Sequence, residues 1–166
     1  MGGISLSEYR NLIEVACPGA VIDEFEGPGD ELTIEIHRDH IRAVCRFLKY
    51  EPGAFRQLSD VTCVDYLEGN GSGDRFRLAY QLFSMETGDR LRLRVWADAE
   101  QPEVDSVTSV WATANWHERE VYDMFGVRFA DHPDLSRILM PFDWEGHPLR
   151  RDYPLGGENV KFSDAV

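Results

Sequence analysis

Two segments constrain the fold more than any other part of the chain. In the first, Phe76, Leu78, Tyr80 and Leu82 alternate with polar or small residues; in the second, Leu91, Leu93, Val95 and Ala97 do the same. A period of two sends successive side chains to opposite faces of an extended strand, so each segment can bury one face only. Thr87-Gly88-Asp89 supplies the turn between them. A hairpin with one apolar face needs a covering layer, and the rest of the chain has to provide it.

The flanking segments have the right patterns. Leu6, Tyr9, Leu12, Ile13 and Ala16 recur at helical spacing behind the capping box Ser5-x-x-Glu8, and Pro18-Gly19 end that helix. Residues 20–26 and 31–37 predict a second hairpin around Gly27-Pro28-Gly29-Asp30, with Leu32, Ile34 and Ile36 on one side and Thr33, Glu35 and His37 on the other. Residues 39–50 place Ile41, Val44, Cys45 and Leu48 on one helical face before Pro52-Gly53. Residues 61–66 read as a strand and 69–74 as a flexible loop. The expected core includes Leu12, Ile34, Val44, Leu48, Leu78, Leu93, Val95 and Phe125. The element order predicts an α+β domain over residues 1–129, a mostly antiparallel sheet packed with helices.

Arg90, Arg92 and Arg94 fall on the face of their strand opposite its apolar set. They make either a solvated face with cross-strand ion pairs or a docking surface. The net charge of −13 and the isoelectric point near 4.7 argue against nucleic acid and against direct binding to anionic lipid. No apolar run approaches the ~18 residues of a membrane span. The start of the chain reads as neither a signal nor a transit peptide, and Leu6 breaks the myristoylation pattern. Contact with a membrane is therefore expected only through another protein. Cys17, Cys45 and Cys63 are scattered in apolar surroundings without a CxxC pair, as buried thiols in a reducing compartment would be.

The stretch ANWHEREVYDMFGVRF, residues 114–129, concentrates the polar chemistry. Asn115 and Glu118 have the spacing of an N-terminal cap, which predicts a helix over Trp116–Phe125 with Gly126 as its left-handed stop. Val121, Met124 and Phe125 give a core face. His117-Glu118 opens like the metal motif HExxH, but residue 121 is Val. His37 and His40 straddle an element boundary, and His132 and His147 each precede a proline. His117, Glu118, Glu120 and Asp123 include acids and a base, yet neighbours on a helix do not face one another. Nucleophile elbow, dinucleotide and P-loop motifs are absent. No catalytic residue, metal site or cofactor site is expected in this chain.

After Phe129 the periodicity stops. Residues 130–166 hold Pro133, Pro141, Pro148 and Pro154 among Leu135, Ile138, Leu139, Met140, Phe142, Trp144, Leu149, Tyr153 and Phe162. Apolar anchors spaced by prolines predict an extended, partner-binding arm over 130–166, lying on its own sheet or on another subunit. In the free chain the arm is expected to be weakly ordered beyond Asp131, because fixing its backbone costs on the order of 1–2 kcal/mol per residue.

The span from Ala114 to Leu155 resembles the signature region of the 30 kDa subunit of respiratory complex I, the C subunit of bacterial NADH–quinone oxidoreductase. The family pattern is Trp followed by x-E-R-E-x-Y-D-M-F-G, then F-x-x-H-P, R-I-L and W-x-G-H-P-L-R-(K/R)-D-Y-P. Here it falls on Trp116, Glu118–Glu120, Tyr122–Gly126, Phe129, His132-Pro133, Arg137–Leu139 and Trp144–Pro154. Leu58-Ser59-Asp60, Val64-Asp65 and Tyr80 extend the likeness upstream.

The resemblance implies a non-catalytic scaffold in the peripheral arm of the complex, one of several peripheral-arm subunits and docked chiefly on the large quinone-site D subunit. The complex carries electrons from NADH through FMN and iron–sulfur clusters, held by partner subunits, to quinone, coupled to proton translocation. The chain would lie on the cytoplasmic side of the bacterial inner membrane and touch the membrane only through the complex. Its subunit interface would draw on Trp116, Glu118, Arg119, Glu120, Tyr122 and Asp123 of the helix. From the arm it would draw on His132, Arg137, Trp144, His147, Arg150, Arg151, Asp152 and Tyr153, with Arg137, Arg150 and Arg151 presented to acidic or carbonyl groups of the partner. An equivalent subunit of a membrane-bound hydrogenase or of a ferredoxin- or deazaflavin-linked dehydrogenase shares the signature more loosely. A free-standing zinc hydrolase using His117, Glu118 and His132 is the alternative from another class.

Overall fold

The alternating hairpin is the middle of the sheet. In the computed structural model, β4 (Asp74–Phe83) and β5 (Arg90–Asp98) pair antiparallel, with Leu78 opposite Val95 and Tyr80 opposite Leu93. Their inward residues, from Phe76 to Leu82 and from Leu91 to Ala97, are all buried. The structure describes residues 6–27, 31–51 and 54–154. Ser5 of the expected capping box, the turn residues Pro28-Gly29-Asp30 and the expected stop at Pro52-Gly53 lie outside them.

β1 (Val21–Gly27) and β2 (Glu31–Ile36) form the second hairpin, and β3 (Gln57–Asp65) starts four residues earlier than its alternation suggested. The sheet order is β1-β2-β5-β4-β3. Three of its ladders are antiparallel, but β2 runs parallel to β5, with Ile34 beside Leu93. A parallel neighbour requires a crossover. The chain makes it through a 3-10 turn (Arg38–His40) and α2 (Ile41–Tyr50), which carry it across the sheet to β3 at the far edge.

α1 (Leu6–Ala16), α2 and α3 (Ala114–Phe125) share one apolar core with the inward face of the sheet. α2 buries Ile41, Val44, Cys45 and Leu48, as its spacing predicts. α1 turns Tyr9 and Ile13 inward but leaves Leu12 exposed, so Leu12 is no core residue. With only one helical stripe in contact, a residue one position away from Ile13 faces water. Each fully buried aliphatic or aromatic side chain contributes ~1.5–3 kcal/mol, so this shared core and not a helix alone holds the layers together.

Two strands of three residues had no legible pattern: β6 (Glu103–Asp105) and β7 (Arg128–Ala130) form a small parallel pair with Val104 beside Phe129. Arg42 of α2 clamps them. Its guanidinium donates to Ser106 O (3.0 Å), Ala130 O (3.1 Å) and Asp131 Oδ2 (2.8 Å). This clamp places α3, which lies between β6 and β7 in the chain, against β3.

Candidate interaction site: the signature helix and its arm

α3 begins at Ala114, two residues before the position predicted, and Thr113 is its N-cap. The Asn115–Glu118 capping box does not form, because Glu118 is fully buried and used elsewhere. Glu118 Oε1 accepts from Val107 N–H (2.7 Å) and Oε2 from Ser106 Oγ (2.7 Å). Burial pushes its carboxyl up to about 7, against the opposing pull of those two donors and of Arg42. The buried His132 imidazole lies beside it, with Nε2 3.9 Å from Glu118 Oε2. His132 Nδ1 accepts from Asp134 N–H (3.1 Å), so Nε2 carries the proton and faces Asn115 O at 3.4 Å. Burial holds this histidine below its usual range, in keeping with a neutral ring.

One turn later Asp123, also fully buried, anchors the arm. Its Oδ2 accepts three successive backbone N–H groups, from Ile138 (3.0 Å), Leu139 (2.8 Å) and Met140 (2.9 Å). Its Oδ1 accepts from Arg137 Nη1 at 2.8 Å. Burial alone would raise this carboxyl, but the three amides and the guanidinium outweigh it and hold Asp123 below the usual carboxylate range. Arg137 Nη2 also donates to Gly146 O (3.0 Å), which ties both ends of the 137–146 loop to one side chain.

The arm then satisfies the end of the helix. The last four carbonyls of an α-helix have no partner within it. Here Tyr122 O accepts from Gly126 N–H (2.8 Å), Asp123 O from His147 Nδ1 (2.9 Å) and Met124 O from Leu149 N–H (3.0 Å). Phe125 O accepts from Arg150 Nε. Gly126 makes the approach possible. Its φ of 74° needs glycine, and a Cβ there would lie 2.4 Å from Arg150 Nη2 and 2.5 Å from the His147 ring. Gly126 as the helix stop was legible; the use of His147 and Arg150 as caps was not.

A second anchor joins the end of the arm to the sheet. Arg75 Nε and Nη2 grip Asp65 Oδ1 and Oδ2, both at 2.7 Å, while Arg75 Nη1 reaches Asp152 at 2.9 Å. Asp65 also accepts Arg151 N–H at 2.8 Å. Its carboxyl is low because these donors outweigh its burial. Asp65 and Arg75 were missed as functional residues, although a signal existed: in β3, Asp65 occupies the inward parity of Val61 and Cys63, where a lone carboxylate demands a partner.

The structure corrects two expectations for the arm: residues 137–150 are bonded onto α3 of their own domain instead of being loosely ordered, and their arginines point the other way. Arg137 and Arg150 do not reach outward for a partner; both guanidiniums turn inward onto α3, and Arg150 also stacks 5.0 Å over the Phe76 ring. Among the other residues expected at an interface, Arg119 bonds to Ser136 O (3.0 Å) and Oγ (2.9 Å), and Tyr122 packs edge-on to His147. Trp144 is half-buried, and the Tyr153 ring lies against Gly146. Trp116, Glu120, Arg151 and Asp152 are exposed. So are three apolar arm residues, Leu139 (54%), Phe142 (95%) and Leu149 (55%).

The arrangement suits structural work. Glu118 and Asp123 have every oxygen occupied and no exposure. His117 is paired with Asp60 at 3.2 Å and does not join Glu118 and His132. No group of three or more His, Cys, Asp or Glu among the described residues could hold a metal ion. No helix among them is long and apolar enough to cross a membrane.

Known proteins share this framework. Residues 34–159 match the family described as respiratory-chain NADH dehydrogenase, 30 Kd subunit. The NADH-quinone oxidoreductase C subunit of Roseiflexus sp. (strain RS-1) is 45% identical over 152 residues, covering 91% of this chain and 85% of the relative. The corresponding C subunit of Geobacter sulfurreducens is 48% identical over 136 residues, 82% of this chain and 80% of the relative. Among solved structures, a trypsin-resistant fragment (1-134) of Nqo5 superimposes with a TM-score of 0.64 at 31% identity, covering 76% of this chain and 98% of the fragment. A chain of the archaeal membrane-bound sulfane sulfur reductase, a respiratory membrane complex, shares the fold at a TM-score of 0.74 and 22% identity, over 90% of this chain and 85% of that one. The chain therefore belongs to the family of 30 kDa subunits of respiratory-chain NADH dehydrogenase, alongside the C subunits of bacterial NADH–quinone oxidoreductases.

Proposed function

We propose that this chain is a non-catalytic docking subunit in the peripheral arm of NADH–quinone oxidoreductase, seated on the large quinone-site D subunit. Electrons from NADH would pass to quinone through FMN and iron–sulfur clusters of partner subunits, with proton translocation elsewhere in the complex. The chain would hold no cofactor of its own and would meet the membrane only through the complex, on the cytoplasmic side.

One observation carries this reading. The arm turns its polar anchors toward its own domain and holds Leu139, Phe142 and Leu149 toward solvent. Phe142 is 95% exposed on a segment fixed by several hydrogen bonds, and Leu139 and Leu149 are exposed on the same arm. Burial of such a side chain against a partner contributes ~1.5–3 kcal/mol. Because the segment is already ordered, little of that gain is lost to ordering on association. The Nqo5 relative, a trypsin-resistant fragment, is in keeping with a stable core domain. Glu120 and Arg151, also exposed, would add polar contacts, and Trp116 a further apolar one.

The test replaces Phe142 with Asp and Leu139 with Ser in the full chain and purifies the complex from cells. The isolated variant should unfold at the wild-type midpoint, while its recovery with the other subunits should fall sharply. Normal assembly with both replacements would defeat the docking role of the arm.

A further inference from the structure

The helices cover one face of the sheet, and the opposite face carries a second pattern. Register places Arg77 across from Trp96, Ala79 from Arg94, Gln81 from Arg92 and Phe83 from Arg90. In a chain with 30 Asp and Glu residues, cross-strand ion pairs would be the ordinary arrangement here. Yet Arg77, Arg90 and Arg94 form no ion pair shorter than 4 Å with the described residues, even though Glu35 of β2 stands next to Arg94 in the β2–β5 register. Each stacks on an aromatic ring instead. Arg77 lies 4.5 Å from the Tyr66 centroid and 5.2 Å from that of Trp96, Arg94 4.4 Å from Phe25, and Arg90 5.5 Å from Phe83. Arg92 is held by the Gln81 amide oxygen, at 2.8 Å from Nε, once that amide is oriented to accept. Burial and the neighbouring Arg77 and Arg92 keep Arg94 below the usual guanidinium range, against the opposing pull of Tyr66 and Glu35.

A guanidinium stacked on a ring keeps its plane fixed and leaves edge N–H groups available for two parallel bonds to a carboxylate. Like charges gathered on one face repel, and an acidic ligand relieves that repulsion. Arg90 and Arg94 are four residues apart on β5, roughly 13 Å along the strand, too far for one small carboxylate. An extended peptide presents same-side residues every two positions and can meet such a row. The chain's net charge of −13 disfavours a long polyphosphate strand or an anionic bilayer on the same face.

We propose that this Arg–aromatic sheet face is a second docking surface, distinct from the arm, and that it takes an extended acidic segment of another subunit of the same complex. The proposal rests on the reading of this chain as a subunit of a larger complex. The test uses the assembled complex with a photoreactive amino acid at Thr62, an exposed position across from Ala79 on this face. Irradiation should yield an adduct that mass spectrometry maps to a peptide of another subunit with clustered carboxylates. Arg77→Glu with Arg94→Glu should abolish the adduct while the isolated chain still folds cooperatively. Arg77→Lys with Arg94→Lys, which retains charge but loses the planar fork, should assemble and give the same adduct at several-fold lower yield. If charge reversal blocks assembly, the lysine pair alone decides. An adduct on a segment without acidic residues, on lipid or on nucleic acid, the absence of any adduct in an assembled complex, or a yield indifferent to both replacements would overturn the proposal. Loss of arm docking through Phe142 would leave this outcome open to separate measurement, because the two surfaces are probed by different residues.

Discussion

The Asp123 carboxylate and the Arg137 guanidinium meet at 2.8 Å, with the aspartate fully buried and three backbone amides on its second oxygen. One helix residue thereby fixes the direction in which the arm leaves the domain.

Asp123→Asn should therefore destabilise the chain by on the order of 3 kcal/mol, the usual cost of leaving a buried charge without its partner. The neutral amide cannot serve the guanidinium and the three N–H groups as an ionised carboxylate does. Urea unfolding at pH 7 measures this, and trypsin should cut faster after Arg137 in the variant.

Glu118 gives a pH signature of the opposite sign. Its folded value of about 7 lies above the ordinary 4.5, so its stabilisation is full below pH 4.5 and is lost as pH rises through 7, on the order of 3 kcal/mol in all. Asp65 and Asp123 are depressed; their stabilisation is present above the ordinary 3.8 and is lost as pH falls through their folded values. His132 and His147, lowered by burial, stabilise above their ordinary 6.5 and cease to do so on acidification. Glu118→Gln should remove only the first effect. The difference in unfolding free energy between variant and wild type should shift in favour of the variant between pH 5 and 8, and equilibrium unfolding at several pH values measures it. A constant difference would show that Glu118 titrates normally.

Local periodicity carried the parts of the fold that bury one face at a time: β4, β5, the stripe of α2 and the Gly126 stop. It could not reveal that β2 runs beside β5, because the partner of a strand depends on a crossover and not on its own alternation. β6 and β7 are too short to show a period. Leu12 fitted a helical stripe, but the stripe in contact is narrower than the apolar pattern. At the site, residue types were legible and destinations were not. Arg137 and Arg150 look the same in sequence whether they face a partner or the end of α3, and only the folded backbone shows which carbonyls lack a donor.

Gly126→Ala should cost about 2 kcal/mol or more, from a left-handed residue with a Cβ and from displacement of Arg150 and His147. Its effect should be local. The Leu149 amide should lose hydrogen-exchange protection while the amides of β4 and β5 keep theirs.

The most direct measurement is amide hydrogen exchange on the isolated wild-type chain at Ile138, Leu139, Met140 and Leu149. These four N–H groups are the ones taken by Asp123 and Met124 O. An arm folded on its own domain before any partner arrives predicts slow exchange at all four, lost at 138–140 in Asp123→Asn. Exchange at unprotected rates in the wild type, with β4 and β5 still protected, would contradict it and leave the arm to be ordered by its partner.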